Sequence, residues 1–267
     1  MSRILRSTAV LSAFALLAAC GGGTPPPPPA GEATRAAAPP PTAEPAGGAE
    51  GEYHFMAVAD GGGVAGKVTV AGSVPAPEKV EVNKDQNVCG TEKVLEDVQV
   101  GAGGALANAV VWIDGIGSGK AWADGRQGTV DQKECHYVPH IQALAPGANL
   151  DILNSDPILH NIHAYSGEET LFNIAQPIKG QKTTKKLARS GPVQLKCDVH
   201  SWMSAYVFVA ASPYYAITGA DGSYSIGDVP PGTYTVKVWH GKLGEKSTSV
   251  TVAPKGTAAA DFEIQAS

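Results

Sequence analysis

From Gly191 to Cys197 the side chains alternate, with Val193, Leu195 and Cys197 on one side of an extended run and Gln194 and Lys196 on the other. A period of two marks a strand with one buried face, so the pattern aims Cys197 inward. A second apolar run, 204–210, follows at once, leaving only Asp198–Met203 to connect the two. The rest of the chain repeats the theme. Val64, Val68 and Val70 alternate with Lys67 and Thr69, and further strands are predicted over Ala105–Ile113, Ile141–Leu144 and Leu150–Asn154. With 32 Gly and 20 Pro the chain turns often, and no stretch carries a long helical period, so the fold class is all-β. Asn87–Gly90 is predicted to be a turn and the Gly-rich 115–128 a loop. Trp112 and Trp122 read as packing residues.

The connection itself carries the chemistry. Cys197, His200 and Met203 are spaced C-x2-H-x2-M, which places a thiolate, an imidazole and a thioether in one short loop. These are soft and borderline donors of the kind copper takes, and a second histidine would complete a His2Cys set with a weak axial Met. His160 is the candidate, because it follows the break Ser155-Asp156-Pro157 after the strand that ends at Asn154. His163, three residues on, would face the opposite way on a strand. His136 and His140, flanking Tyr137 and Pro139, could make a second, weaker metal site, but the ordinary reading as non-ligating histidines is favoured for them and for His163.

The two motifs together resemble the cupredoxins, the small blue-copper β-sandwiches that include amicyanin and plastocyanin. Asn154, Pro157, His160 and Asn161 match the family's first motif, and the short Cys197–Met203 loop is most similar to that of amicyanin. The resemblance implies a Greek-key sandwich over 129–211 holding one copper. By position, His160, Cys197 and His200 would be equatorial ligands, Met203 axial, and Asn161 the brace between the two ligand segments. It also implies one-electron transfer with a redox partner protein, through an apolar patch at His200 that Trp202 could widen. Leu195 stands where the family usually has Tyr or Phe, and Pro157 lies three residues before His160 instead of next to it.

Farther on, Thr218, Asp221-Gly222, Tyr224, Ile226 and Val229-Pro230-Pro231-Gly232-Thr233-Tyr234 resemble the carboxypeptidase regulatory-like, or transthyretin-like, β-sandwich. In that family the domain is a non-catalytic module. Such domains usually begin with a strand like Val64–Val68, so the sandwich is expected to be split, with 63–128 its first part and 212–267 its second. Two consecutive sandwiches are the alternative. His240, after a strand end, reads as a surface residue.

Arg3 and Arg6 before the short apolar run Ala9–Ala19 have the anatomy of a signal peptide over 1–19. Its end, Leu17-Ala18-Ala19-Cys20, resembles the lipobox of bacterial lipoproteins. That implies lipidation of Cys20 and a periplasmic, membrane-anchored protein, and Gly21 favours the outer membrane of a Gram-negative cell. Residues 20–62, rich in Pro, Ala and Gly, are expected to form a disordered tether. With Cys20 and Cys197 assigned, Cys89 and Cys135 remain as a disulfide pair, which an oxidising compartment permits. The chain carries −5, and loss of Arg3 and Arg6 leaves 18 basic against 25 acidic side chains, which disfavours nucleic acid as a partner. No nucleophile–base or carboxylate pair points to catalysis. The expected function is copper-based electron transfer, with a copper carrier or a non-redox surface module as rivals.

Overall fold

A computed structural model describes residues 52–73, 76–95, 97–123 and 125–266. The expected signal peptide, Cys20 and the tether up to residue 51 lie outside the described residues. Among the described residues no helix is long and apolar enough to cross a membrane.

In chain order the leading elements are β1 (His54–Phe55), β2 (Gly62–Ala71), β3 (Lys79–Glu81), α1 (Gln86–Cys89), β4 (Glu92–Val94), β5 (Val110–Asp114) and β6 (Ser118–Gly119). Next come β7 (Gln127–Lys133), β8 (His136–Val138), β9 (Ile141–Leu144), β10 (Ala148–Asn154), β11 (His160–Ser166) and β12 (Glu169–Gln176). β13 (Lys182–Leu187), β14 (Gly191–Lys196) and β15 (Ser204–Val209) complete the middle of the chain. The last elements are β16 (Tyr215–Ile217), β17 (Ser223–Val229), β18 (Gly232–His240), β19 (Gly244–Val252), β20 (Thr257–Ala259) and β21 (Phe262–Gln265).

Four main sheets build two sandwiches. The first packs β13-β10-β7-β8 against β12-β11-β14-β15-β9 over a core of Val130, Leu150, Ile152, Ile162, Leu195 and Val207. The second packs β16-β5-β18-β19 against β17-β2-β20, with β21 also on β2, over Val64, Val68, Val111, Ile113, Ile226 and Val238. In the second sandwich, then, β2 and β5 pair with strands that follow residue 214. The alternation of β2 accounts for its place, since Val64, Val68 and Val70 are its buried residues.

A third core joins the two sandwiches. Val110, Ile141, Tyr206, Phe208 and Ala210 cluster with Trp112 and Trp239 at its margin, and the Trp112 and Phe208 rings stand 4.9 Å apart. β15 is consequently covered on both faces, with Ala205, Val207 and Val209 toward the first core and Tyr206 and Phe208 toward the third. That is why 205–210 reads as an unbroken apolar run and not an alternating one.

Several expectations need correction. The tether does not extend to Gly62: β1 pairs with β6, and Tyr53 donates to the Lys120 carbonyl at 2.7 Å. The Tyr53 ring also lies edge-on to Trp122 and Tyr214, 6.3 Å from each, so its apolar surface and hydroxyl tie this stretch down. The strand expected from Ala105 starts only at Val110, because Asn108 takes a left-handed φ of 61° and breaks the extension. Asn87–Cys89 is helical, and the 115–128 loop contains β6 and the start of β7. Residues 79–94 fall in the stretch expected to belong to the regulatory-like sandwich, yet Val82 and Cys89 are buried in the core of the first sandwich.

Candidate metal centre

At the end of β10, Asn154 shapes the loop that leads to His160. Its Nδ2 donates to the carbonyls of Ile158 (2.9 Å) and Gln176 (2.8 Å), and its Oδ1 accepts from the Asp156 amide at 3.0 Å. β11 then opens on His160, opposite Gln176 of β12. The second ligand segment hangs between β14 and β15, where a turn carries the Met203 amide to the His200 carbonyl at 3.0 Å. Asn161 joins the two segments. Its Oδ1 accepts from the amides of Asp198 (2.7 Å) and Val199 (3.3 Å) and from the Cys197 thiol (3.3 Å).

The three donors converge. His160 Nδ1 lies 3.0 Å from His200 Nδ1, Cys197 Sγ lies 3.8 Å from His200 Nδ1, and all three atoms fall within 4.8 Å of one another. His160 and His200 are wholly buried, Cys197 and Met203 nearly so. Met203 shares the core that Cys197 occupies.

Each imidazole is held from behind by a carboxylate. Asp156 Oδ2 stands 2.9 Å from His160 Nε2, and Asp85 Oδ2 stands 2.9 Å from His200 Nε2. A carboxylate can only accept, so both Nε2 atoms carry a proton and both Nδ1 atoms present lone pairs. Two lone pairs 3.0 Å apart repel unless a cation stands with them, either a shared proton or a metal ion. A thiol beside them makes the set two nitrogens and one sulfur, which suits copper. The donor set therefore fits the ion that the sequence motifs point to.

The electrostatics agree. Burial, with His200 beside it, holds the His160 pKa below the ordinary range against the pull of Asp156. Burial would raise Asp156, but the Cys135 amide, His160 and the Glu134 amide together hold its carboxyl below the usual range. Burial pushes the Cys197 thiol up, opposed by main-chain groups of Asn161, His200 and Val199.

Other predicted residues take other places. Cys89 and Cys135 form a disulfide with their α-carbons 5.3 Å apart. His163 stacks on Tyr165 at 4.1 Å and bonds Asp198 and Thr170, outside the cluster. His136 and His140 belong to neither group of three potential ligands among the described residues, and the second such group contains Cys135, whose sulfur is already in the disulfide. His200 does not reach the surface. Asp85 covers its Nε2, and Trp202 packs 5.1 Å away while donating to the Cys135 carbonyl at 3.2 Å. His240 is also buried, not superficial. Sequence reasoning missed both carboxylates. Asp156 sits four residues before His160 and could have been sought there, whereas Asp85 lies 115 residues from its partner.

The described residues form an all-β protein of two β-sandwiches. Residues 203–265 match the family model of the carboxypeptidase regulatory-like domain. The matched stretch begins at the edge of β15, in the β12-β11-β14-β15-β9 sheet, and contains neither β2 nor β5. No curated protein matches the chain by sequence. Among solved structures it is similar to a Cu-containing nitrite reductase from Thermus scotoductus, at 17% identity and TM-score 0.29, over 32% of this chain and 22% of that one. A purple cupredoxin from Nitrosopumilus maritimus is similar at 19% identity and TM-score 0.29, over 31% of this chain and 99% of that one. Amicyanin from Paracoccus versutus is similar at 20% identity and TM-score 0.29, over 33% and 83%.

Proposed function

We propose that this protein is a mononuclear copper protein of one-electron transfer, non-catalytic in itself and anchored through a lipid on Cys20 in the periplasm, at the outer membrane. The observation that carries the reading is the pair of Nδ1 atoms 3.0 Å apart beside Cys197 Sγ, each ring tied at Nε2 to a carboxylate. His160, Cys197 and His200 would hold the ion, with Met203 as a weak fourth ligand. Bound there, copper would supply a one-electron couple. The chain's part is to keep both rings in the ligating tautomer, exclude water, and fix the Cys197 segment through Asn161. Four protein ligands leave no position for a substrate, unlike open catalytic metal sites.

Burial of all four residues favours electron transfer over copper carriage, since a carrier must release its ion. The test is an optical spectrum of copper-loaded protein. An intense visible thiolate-to-copper band, reversibly bleached by reduction, is expected, and copper bound without that band would favour the carrier. For the anchor, Cys20→Ser should move the protein from the membrane to the soluble fraction, and unchanged partition would remove that part. The redox partner is a protein, not a nucleic acid, in keeping with the acidic balance.

A further inference from the structure

We propose that Asp85 is a positioning residue for His200, and that residues 79–94, which carry it, are a strap closing the His200 side of the metal centre. This rests on the copper reading above and adds a component to that site.

The strap is a small folded unit. β3 and β4 pair along Lys79–Glu81 and Glu92–Val94, and the Val82 amide donates to the Thr91 carbonyl at 3.0 Å. Inside it, the amides of Val88 and Cys89 both donate to the Asp85 carbonyl at 2.9 Å, which places Asp85 at the entry of α1. Asp85 has φ 53° and ψ 36°, a left-handed conformation that aspartate tolerates better than most residues. Backbone held in such a region tends to mark a constrained functional position. Here its side chain does not cap the helix but reaches His200.

Three attachments hold the strap on the sandwich. Val82 enters the core, Lys93 Nζ donates to the Glu134 carbonyl at 2.7 Å, and Cys89 is bonded to Cys135. The last of these links the two histidines. The Cys135 amide donates to Asp156 Oδ2 at 2.8 Å, and the same carboxylate oxygen holds His160. Cys135 thus supports one carboxylate through its amide and the segment bearing the other through its sulfur. Both imidazoles are oriented through one residue.

Two consequences follow for His200. A carboxylate at Nε2 fixes the tautomer that leaves Nδ1 free to face Cys197 and His160, and such partners raise ligand basicity. The strap also sets a carboxylate between the ring and solvent: the His200 side chain is wholly inaccessible, whereas that of Asp85 is 30% exposed.

Two variants test this. Asp85→Gly removes the carboxylate while suiting the positive φ, and Asp85→Asn keeps an acceptor without the charge. In the metal-free protein, nitrogen NMR of the His200 ring should show only the Nε2–H tautomer in the wild type and in Asp85→Asn, and a mixture in Asp85→Gly. On copper loading, Asp85→Gly should lose about 10–100-fold in Cu(II) affinity. Its reduction potential should rise, since a less basic ligand favours Cu(I), and Asp85→Asn should fall between. A single tautomer and unaltered affinity and potential in Asp85→Gly would overturn the proposal. Wild-type protein that fails to bind copper, together with a tautomer mixture in Asp85→Gly, would remove the copper reading and leave the positioning role standing.

Discussion

The two sandwiches are built from similar sheets but have interiors of different chemistry. In the first, Gln132, Asn154, Asp156, His160, Asn161, Gln176 and His200 are all buried among the apolar residues. The regulatory-like core is chiefly Val and Ile, with Thr218 as a buried polar residue that bonds the Leu106 carbonyl (2.7 Å) and the Ala109 amide (2.9 Å). Burying a polar group costs free energy unless its hydrogen bonds are made, so an interior carrying this many is fixed by geometry more than by area. The contrast sets the candidate metal centre in the first sandwich. It is also open to direct attack.

The largest expected effect is on the polar side. Cys197→Ser should abolish the visible band of copper-loaded protein while leaving its melting temperature in the metal-free state nearly unchanged. A variant that keeps the colour would break the assignment of Cys197. The complementary change is Ile226→Ala in the regulatory-like core, where the side chain is 1% exposed. Loss of those buried methyl groups should cost about 2–5 kcal/mol of stability by denaturant titration. The optical spectrum of the folded protein should stay as it was. If Ile226→Ala altered the band, the two interiors would not be separable in function.

Asn161→Ala sharpens the comparison at a single side chain. Its Oδ1 accepts from two amides and a thiol, so its removal leaves the buried ends of the ligand loop unpaired. The cost should be about 1–3 kcal/mol, with a shifted copper band. A spectrum identical to wild type would mean that the loop holds its shape without Asn161.

How much of this was legible depended on distance along the chain. The β2 pattern and the Cys197–Met203 loop are local, and short-range periodicity carries them. Asn161 and His160 are adjacent, so one motif contains both. Asp85 was invisible, because nothing near it marks the site and its partner is 115 residues away. Nor could alternation announce the third core. Tyr206 and Phe208 occupy the face of β15 that a lone sandwich would give to solvent, and an apolar run reads the same for a strand buried on both faces as for other buried segments. The expectation of a tether to Gly62 overlooks the apolar ring of Tyr53, which lies past the last proline of that segment, Pro45. His240 is buried as well, although its place after a strand end marks it in the sequence as a surface residue.

The smallest effect concerns that junction. His240 ends β18 beside Trp239, whose ring stands 5.3 Å from Tyr206 of β15. Burial, with His140 nearby and Asp97 opposing, lowers the His240 pKa to about 4. The unfolded chain takes up this proton below the ordinary 6.5, while the folded protein resists until about 4. Unfolding therefore consumes a proton between those values. The stability contributed by neutral His240 is complete above pH 6.5 and declines as the solution is acidified toward 4. Between pH 7 and 5.5 the loss should be about 1 kcal/mol. His160, also lowered, titrates in the same direction, so the measurement compares metal-free wild type with His240→Asn by denaturant titration at both pH values. The variant should lose about 1 kcal/mol less than wild type over that interval. Equal losses would mean that His240 charges freely in the folded protein.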